Sequence, residues 1–145
     1  MLHRDWGLIA SGSLNKAPKI ASYNQIQENE NMTLQLPDVV QMYFAVSNGG
    51  DAAQLSSCFC SDATVCDERK TYEGIADIKA WQQDARKAFN YQVKPIQALQ
   101  GQSRLMVIAN LVGNFPGSPV QLSHAFTLEG GRVRSLEITP CWIQV

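Results

Sequence analysis

Apolar positions in the first part of the chain recur at the spacing of an amphipathic helix. Residues 37–48 predict a first helix, which Pro37 can open and Asn48-Gly49-Gly50 can end. Asp51 can cap a short second helix that carries Leu55 and Phe59 and ends at residues 60–62. A third helix follows from apolar residues at helical spacing, namely Ile75, Ile78, Trp81, Ala85 and Phe89.

Alternation of apolar and polar residues predicts strands in the rest of the chain. A short strand over residues 63–67 precedes the third helix. Beyond Asn90, four longer segments are predicted to be strands joined by hairpin connections: 91–99, 104–115, 120–128 and 132–142. Helices followed by a meander of antiparallel strands are typical of an α+β domain, in which the helices cover one face of the sheet.

The N-terminal region differs from the rest of the chain. Residues 1–31 mix polar and charged side chains without helical or strand periodicity, and residues 24–31 are almost wholly polar. We therefore expect a poorly ordered extension over residues 1–31 and one domain over residues 32–145. Whether Met32 is the natural start stays open.

Composition narrows the class of protein. A chain of 145 residues with 45% hydrophobic residues can build one core. Because Lys and Arg number 12 against 13 Asp and Glu, no basic face is indicated and a nucleic-acid partner is not expected. No apolar run approaches the ~20 residues of a membrane span, and no signal peptide is evident, so we expect a cytoplasmic protein without a membrane partner. The cysteines lack zinc-ligand spacing, and no metal or cofactor is expected.

Several stretches together resemble the nuclear transport factor 2-like superfamily, in particular its SnoaL-like and ketosteroid isomerase branches. They are Val39-Val40-Gln41-Met42-Tyr43, residues 48–51, residues 62–67 and residues 74–81, with residues 114–119, 126–128 and 136–138 resembling a SnoaL-like subgroup. The resemblance covers residues 36–140. It implies a cone of three helices packed on a strongly curved antiparallel sheet, with an apolar pocket at the wide end and a homodimer formed through the sheet. Gly113 and Gly130-Gly131 are candidates for bending that sheet.

Asp67 is the first candidate for chemistry. Alternate residues of a strand lie on the same face, so the side chain of Asp67 points into the core if those of Ala63 and Val65 do. A buried carboxylate is costly unless it is used or paired. The resemblance implies a general base here, since ketosteroid isomerases carry theirs within a similar Ala-Thr-Val-x-Asp stretch. The alternative is an aspartate that caps a turn at the strand end.

Tyr43 and His124 are candidate donors to an enolate oxygen. The resembling isomerases share Val-Val-Gln-x-Tyr, which implies the donor role for Tyr43, whereas an aromatic residue on an apolar helical face is also typical of core packing. His124 alternates with Leu122 and Phe126 on the inward side of its strand. Those isomerases hold an aspartic acid as second donor at this position, so histidine is a departure. A neutral imidazole can donate or act as a base, or simply bond a backbone carbonyl.

These residues predict a pocket, with Trp81, Phe115 and Phe126 in its wall. The enzymatic hypothesis is proton transfer of isomerase, cyclase or dehydratase type on an apolar carbonyl compound. The alternatives are a non-catalytic module that binds a small apolar molecule and a homodimeric interaction scaffold. Convergence of Asp67, Tyr43 and His124 on a cavity of roughly 300 Å³ or more favours the first.

Overall fold

The computed structural model describes residues 34–141. The predicted extension over residues 1–31 and the end of the last predicted strand at Trp142 lie outside the described residues. Within residues 34–141, the α+β class is as predicted, with three α-helices and a six-stranded sheet. The helices are α1 (Asp38–Ser47), α2 (Leu55–Cys58) and α3 (Ile75–Ala88), and a single 3₁₀ turn, Ala52–Gln54, leads into α2. None of these helices is long and apolar enough to cross a membrane.

The strands are β1 (Phe59–Asp67), β2 (Lys70–Glu73), β3 (Tyr91–Gln100), β4 (Leu105–Gly113), β5 (Val120–Glu129) and β6 (Arg132–Pro140). Their order across the sheet is β2-β1-β6-β5-β4-β3. All neighbouring pairs are antiparallel except β1 and β6, which are parallel. The strands therefore do not form a simple antiparallel meander, because the last strand, β6, pairs with the first, β1.

The predicted second helix and the segment after it needed two corrections. Phe59, which the pattern placed on the second helix, begins β1 instead and is fully buried, and residues 60–62 continue this strand. Phe59 pairs with Val133, and the register shifts before Thr64, so the polar residues between lie in an irregular, exposed part of the strand. Lys70–Glu73 forms a strand that the pattern did not predict, because an edge strand of mostly exposed side chains shows no apolar alternation.

The end of α1 is tied to the sheet by Asn48. Its side chain donates to the carbonyl oxygen of Val93 at 2.8 Å and accepts from the Val93 N–H at 2.7 Å. Asn48 itself ends the helix, and Gly49 follows with a φ of 108°, which favours glycine. The last turn of α1 is thereby held against the start of β3.

Glycines at the sheet have specific local roles. Gly130 and Gly131 take φ values of 60° and 79° in the turn between β5 and β6. At Gly113 a Cβ atom would lie 2.3 Å from the carbonyl oxygen of Asn90, so only glycine permits this close approach. The core lies between the helices and one face of the sheet, and its largest fully buried side chains include Phe59, Phe126, Leu55, Ile78 and Leu136.

Candidate functional site

A cavity lies between α1, α3 and the inward face of the sheet. Its volume, as space open to the centre of a water molecule, is about 40 Å³. That is room for water molecules but below the ~300–1,000 Å³ typical of pockets for larger ligands. The wall carries seven polar or aromatic side chains: Tyr43, Ser47, Asp67, Trp81, Gln82, Tyr91 and His124. Among residues 34–141, no lysine or arginine lines it.

Strand register brings Asp67 and His124 to this cavity. Asp67 pairs with Ile138 of β6, and Ile138 pairs on its other side with His124 of β5. Residues opposite each other in neighbouring strands project to the same face of a sheet. The carboxylate and the imidazole therefore lie on either side of Ile138 on the inward face of the sheet. The backbones of Asp67 and His124 are about two strand spacings apart across the sheet, or ~10 Å.

Asp67 is 1% exposed at the end of β1. The indole Nε1–H of Trp81 donates a hydrogen bond to its Oδ2 at 2.9 Å. Burial raises the pKa of Asp67 to about 7, because water no longer stabilises the charged form, while the Trp81 hydrogen bond opposes the rise. The carboxylate can therefore gain and lose a proton near neutral pH.

His124 is buried, and it is neutral at pH 7. Burial lowers its pKa to about 4, although the nearby backbone of Leu122 and Val107 acts in the opposite direction. Among the described residues its Nδ1 has no hydrogen-bond partner. A buried nitrogen without a partner is costly, and such atoms are typical of sites where a bound molecule completes the hydrogen bonding.

Tyr43 on α1 is 3% exposed and is packed by aromatic rings. Its ring meets those of Phe44, Phe59 and Phe126 edge to face, with centroids 5.1, 6.2 and 5.7 Å away. Burial raises the pKa of its hydroxyl far above the ordinary value, and a hydrogen bond with the side chain of Ser47 opposes that rise. The hydroxyl remains protonated, so Tyr43 is a neutral donor at the cavity.

The sequence-predicted residues divide into two groups. Asp67, Tyr43, His124 and Trp81 all line the cavity, whereas Phe126 and Phe115 do not. Phe126 is fully buried beneath Tyr43 and stacks on His124 at 6.2 Å, which makes it the packing layer behind the wall. Phe115, in the loop between β4 and β5, packs edge to face on Phe89.

Sequence reasoning missed Ser47, Gln82 and Tyr91. Gln82 was readable in principle, because residues 78, 81, 82 and 85 follow the spacing of one helical face and only the third is polar. Ser47 lies one helical turn after Tyr43, which places both on one face of α1. Tyr91 begins β3, and only the tertiary fold brings it to the cavity.

Arg86 fixes the rim where α1, α3 and β3 meet. Its Nη1 donates to the carbonyl oxygens of Ser47 at 2.8 Å and Tyr91 at 3.1 Å. Its guanidinium carbon also lies 4.9 Å from the centroid of the Tyr91 ring. Because Arg86 makes these contacts, its charged group is held at the rim and does not line the cavity.

Within residues 34–141, no cluster of three His, Cys, Asp or Glu side chains is placed to hold a metal ion.

Solved structures show what this chain is similar to. A proposed polyketide cyclase from Sinorhizobium meliloti matches with 39% sequence identity and a TM-score of 0.69, over 72% of this chain and 95% of that chain. A Catenulispora acidiphila protein with a ketosteroid isomerase-like fold, solved with trimethylamine, matches with 20% identity and a TM-score of 0.64, over 72% and 86% of the two chains. An NTF2-like protein of unknown function from Cytophaga hutchinsonii gives 16% and 0.57, over 71% and 87%.

The first match is close enough to establish the family, while the other two show the fold. The chain belongs to the same family as that proposed cyclase, and it has the nuclear transport factor 2-like fold that its sequence motifs indicated. Comparisons with protein-family models and with curated proteins gave no match.

Proposed function

We propose that this protein catalyses proton transfer beside the carbonyl group of a small uncharged compound, with Asp67 as the general base. The observation that carries the proposal is the buried carboxylate at the cavity wall, whose pKa of about 7 suits acid and base chemistry at neutral pH. An uncharged substrate fits because no cationic side chain of the described part of the chain lines the cavity.

In the proposed reaction, the ionised Asp67 takes a proton from the carbon next to the carbonyl group. The electron pair of that C–H bond forms a C=C bond, and the carbonyl oxygen becomes an enolate oxygen. Tyr43 and His124, both neutral, donate hydrogen bonds to this oxygen. Asp67 then returns the proton to another carbon in an isomerisation. In a cyclisation, the enolate carbon attacks a second carbonyl carbon of the substrate, whose C=O double bond becomes single, and its oxygen takes the proton from Asp67. In a dehydration, the bond from the β-carbon to its hydroxyl breaks, and the hydroxyl takes the proton and leaves as water.

The relative from Sinorhizobium meliloti supports this class of reaction. It is a proposed polyketide cyclase, and ring closure of a polyketide starts from a carbon beside a carbonyl group. Such a ring closure needs a base and stabilisation of an enolate oxygen, the roles proposed for Asp67, Tyr43 and His124. The cavity indicates the class of the substrate, a small uncharged carbonyl compound.

A binding module without chemistry is the second candidate. The cavity volume of about 40 Å³ lies well below the roughly 300 Å³ typical of a pocket for a larger substrate, which favours a protein whose cavity holds only a small molecule or remains a void in the core. An enzyme acting on a polycyclic substrate must widen this cavity, whereas a small ketone needs less rearrangement.

A thermal-shift screen of small cyclic ketones separates the two candidates. We expect some ketones to raise the melting temperature of the wild-type protein and of Asp67→Asn alike, because the amide keeps the size of the carboxylate. Only the wild-type protein should then convert the ketone or exchange its protons. Binding without any turnover in either protein supports the binding module, and no binding at all contradicts both candidates. Asp84→Asn, an exposed change on α3, is the matched control.

A further inference from the structure

Two buried polar side chains in the cavity wall have no part in the proton transfer described above. Ser47 and Gln82 are each 3% exposed. Nε2 of Gln82, on α3, donates a hydrogen bond to Oγ of Ser47, on α1, at 2.9 Å. Ser47 lies four residues after Tyr43, so its hydroxyl is on the same face of α1 as the tyrosine, and all three residues line the cavity.

The direction of the Gln82 hydrogen bond determines what Ser47 can offer Tyr43. A serine hydroxyl has one hydrogen to donate, and its oxygen accepts from others. Since the amide of Gln82 donates to that oxygen, the hydrogen of Ser47 is available to donate to the oxygen of Tyr43. The side chains of Ser47 and Tyr43 are hydrogen-bonded, and this bond opposes the rise in the pKa of Tyr43, as a hydrogen bond donated to the phenolic oxygen would. The O–H of Tyr43 is then left to point into the cavity.

We propose that Gln82 is a positioning residue that acts through Ser47 to direct the O–H of Tyr43 toward the carbonyl oxygen of the substrate. This proposal rests on the proposed function, because the donor role of Tyr43 belongs to it. Aligned hydrogen bonds polarise one another, so the chain from Gln82 to Ser47 to Tyr43 also strengthens the last donor.

Helix α3 then serves both halves of the reaction. Trp81 donates to the proposed base, Asp67, and the next residue, Gln82, begins the chain that ends at the proposed donor, Tyr43. Arg86, one turn further on, binds the carbonyl oxygen of Ser47 and holds the end of α1 in place. A single rigid element thereby sets the relative position of base and donor.

Gln82→Glu reverses the chain with almost no change in shape. In its ionised form, which burial shifts to higher pH, the new carboxylate only accepts hydrogen bonds. Ser47 must then donate to it, and Tyr43 must donate to Ser47 instead of to the cavity. Gln82→Met removes the donor without adding a charge, and it serves where the glutamate variant does not fold. Gln83→Glu makes the same change of charge at the neighbouring exposed position and is the matched control.

A first readout needs no substrate. In protein labelled with ¹³C at Cζ of tyrosine, the Tyr43 resonance is the one lost in Tyr43→Phe. We expect this resonance to move in Gln82→Glu and in Gln82→Met and to stay in place in Gln83→Glu, because only the first two change the hydrogen bonds of its hydroxyl. A Tyr43 resonance unchanged in both Gln82 variants overturns the proposal, whether or not the protein turns over any compound.

A second readout uses the exchange of α-protons of cyclopentanone into D₂O. We expect Gln82→Glu to lower kcat about tenfold with little change in KM, less than the ~10²–10³ lost with a whole donor. In the Tyr43→Phe background the same change should cost nothing further. An equal loss in both backgrounds means that Gln82 is merely structural and overturns the proposal. Absence of exchange by the wild-type protein, with a Tyr43 resonance that moves as expected, overturns the proposed function and still supports the positioning chain.

Discussion

Trp81 and Asp67 are joined by a buried hydrogen bond of 2.9 Å between the indole N–H and one carboxylate oxygen. This hydrogen bond joins α3 to β1 at Asp67, the residue whose ionised form the proposed reaction requires. Burial alone favours a protonated carboxyl, and the indole favours the carboxylate. The balance leaves the pKa of Asp67 about 7, where a general base is effective at neutral pH.

Trp81→Phe should raise the pKa of Asp67 above its present value of about 7. A hydrogen bond to a charged group contributes about 1.5–3 kcal/mol, so its loss corresponds to roughly one to two pKa units. Titration of the ¹³C-labelled aspartate carboxyls by NMR measures the change. Phe89→Leu, which removes a partly buried aromatic ring that packs against the core, is the control and should leave this pKa unchanged. A pKa of Asp67 that stays or falls in Trp81→Phe contradicts the role given to the indole.

Asp67→Asn should alter how stability depends on pH. Folded protein keeps the Asp67 proton up to about pH 7, whereas unfolded chain releases it near 3.8. Between these values the unfolded state binds fewer protons, so the free energy of unfolding of the wild-type protein falls as pH rises. The variant lacks this titration, and the lowered pKa of His124 affects both proteins equally.

The stability of Asp67→Asn should therefore match that of the wild-type protein near pH 4 and exceed it by the order of a few kcal/mol at pH 8. Urea unfolding at both pH values measures the difference. The exposed change Asp84→Asn should show no such trend. A variant that is less stable than the wild-type protein at pH 8 contradicts the burial-raised pKa of Asp67.

Tyr43→Phe and His124→Ala should each slow the conversion of an accepted ketone, by roughly 10²–10³-fold for a donor to a developing oxyanion. The double variant should lose less than the product of the two losses, because both donors serve one oxygen. Steady-state rates of the single and double variants close the cycle, and Ser123→Ala on the opposite face of β5 is the control. If the rate loss of the double variant equals the product of the two single losses, Tyr43 and His124 act independently, which contradicts a shared oxygen.

Much of the fold was readable from periodicity. The helical spacing around Tyr43 and Trp81 predicted α1 and α3, and the period-two pattern predicted an inward Asp67, which is buried. The parallel pairing of β1 with β6 was not predicted, because which strands become neighbours is not encoded in local alternation. The exposed edge strand β2 was missed because its side chains carry no apolar signal.

The candidate site could also be predicted in part, from motif positions and from the alternation of residues along the strands. Motif positions pointed to Asp67, Tyr43 and His124, and the structure places all three at one cavity. Phe126 shares strand parity with His124, yet it lies behind the wall, because the rings of Tyr43 and Phe44 cover it. Parity gives the face of a strand, whereas lining a cavity depends on packing along that face. The cavity volume depends on the same packing.

We propose that the protein forms a homodimer through the outward face of the sheet. Leu99 and Val112 are large apolar side chains exposed at 54% and 52%. Leu99 pairs with Met106, which lies on the same outward side of β4 as Val112, so the two belong to one face. Light scattering at micromolar concentration should give about twice the chain mass of 16.0 kDa. Val112→Glu should lower this mass and Gln83→Glu should not, while a monomeric wild-type protein contradicts the proposal.

The most direct measurement of the central claim is the exchange of α-protons of cyclopentanone in D₂O, followed by ¹H NMR at neutral pD. A base at the cavity abstracts the α-proton whether or not the enolate reacts further, so the assay reads the first step alone. We expect the wild-type protein to accelerate exchange above buffer, and we expect folded Asp67→Asn to be slower by at least ~10²-fold, the usual contribution of a positioned base. Exchange that is equally fast with Asp67→Asn, or no faster than buffer with the wild-type protein, would contradict the assignment of Asp67 as the base.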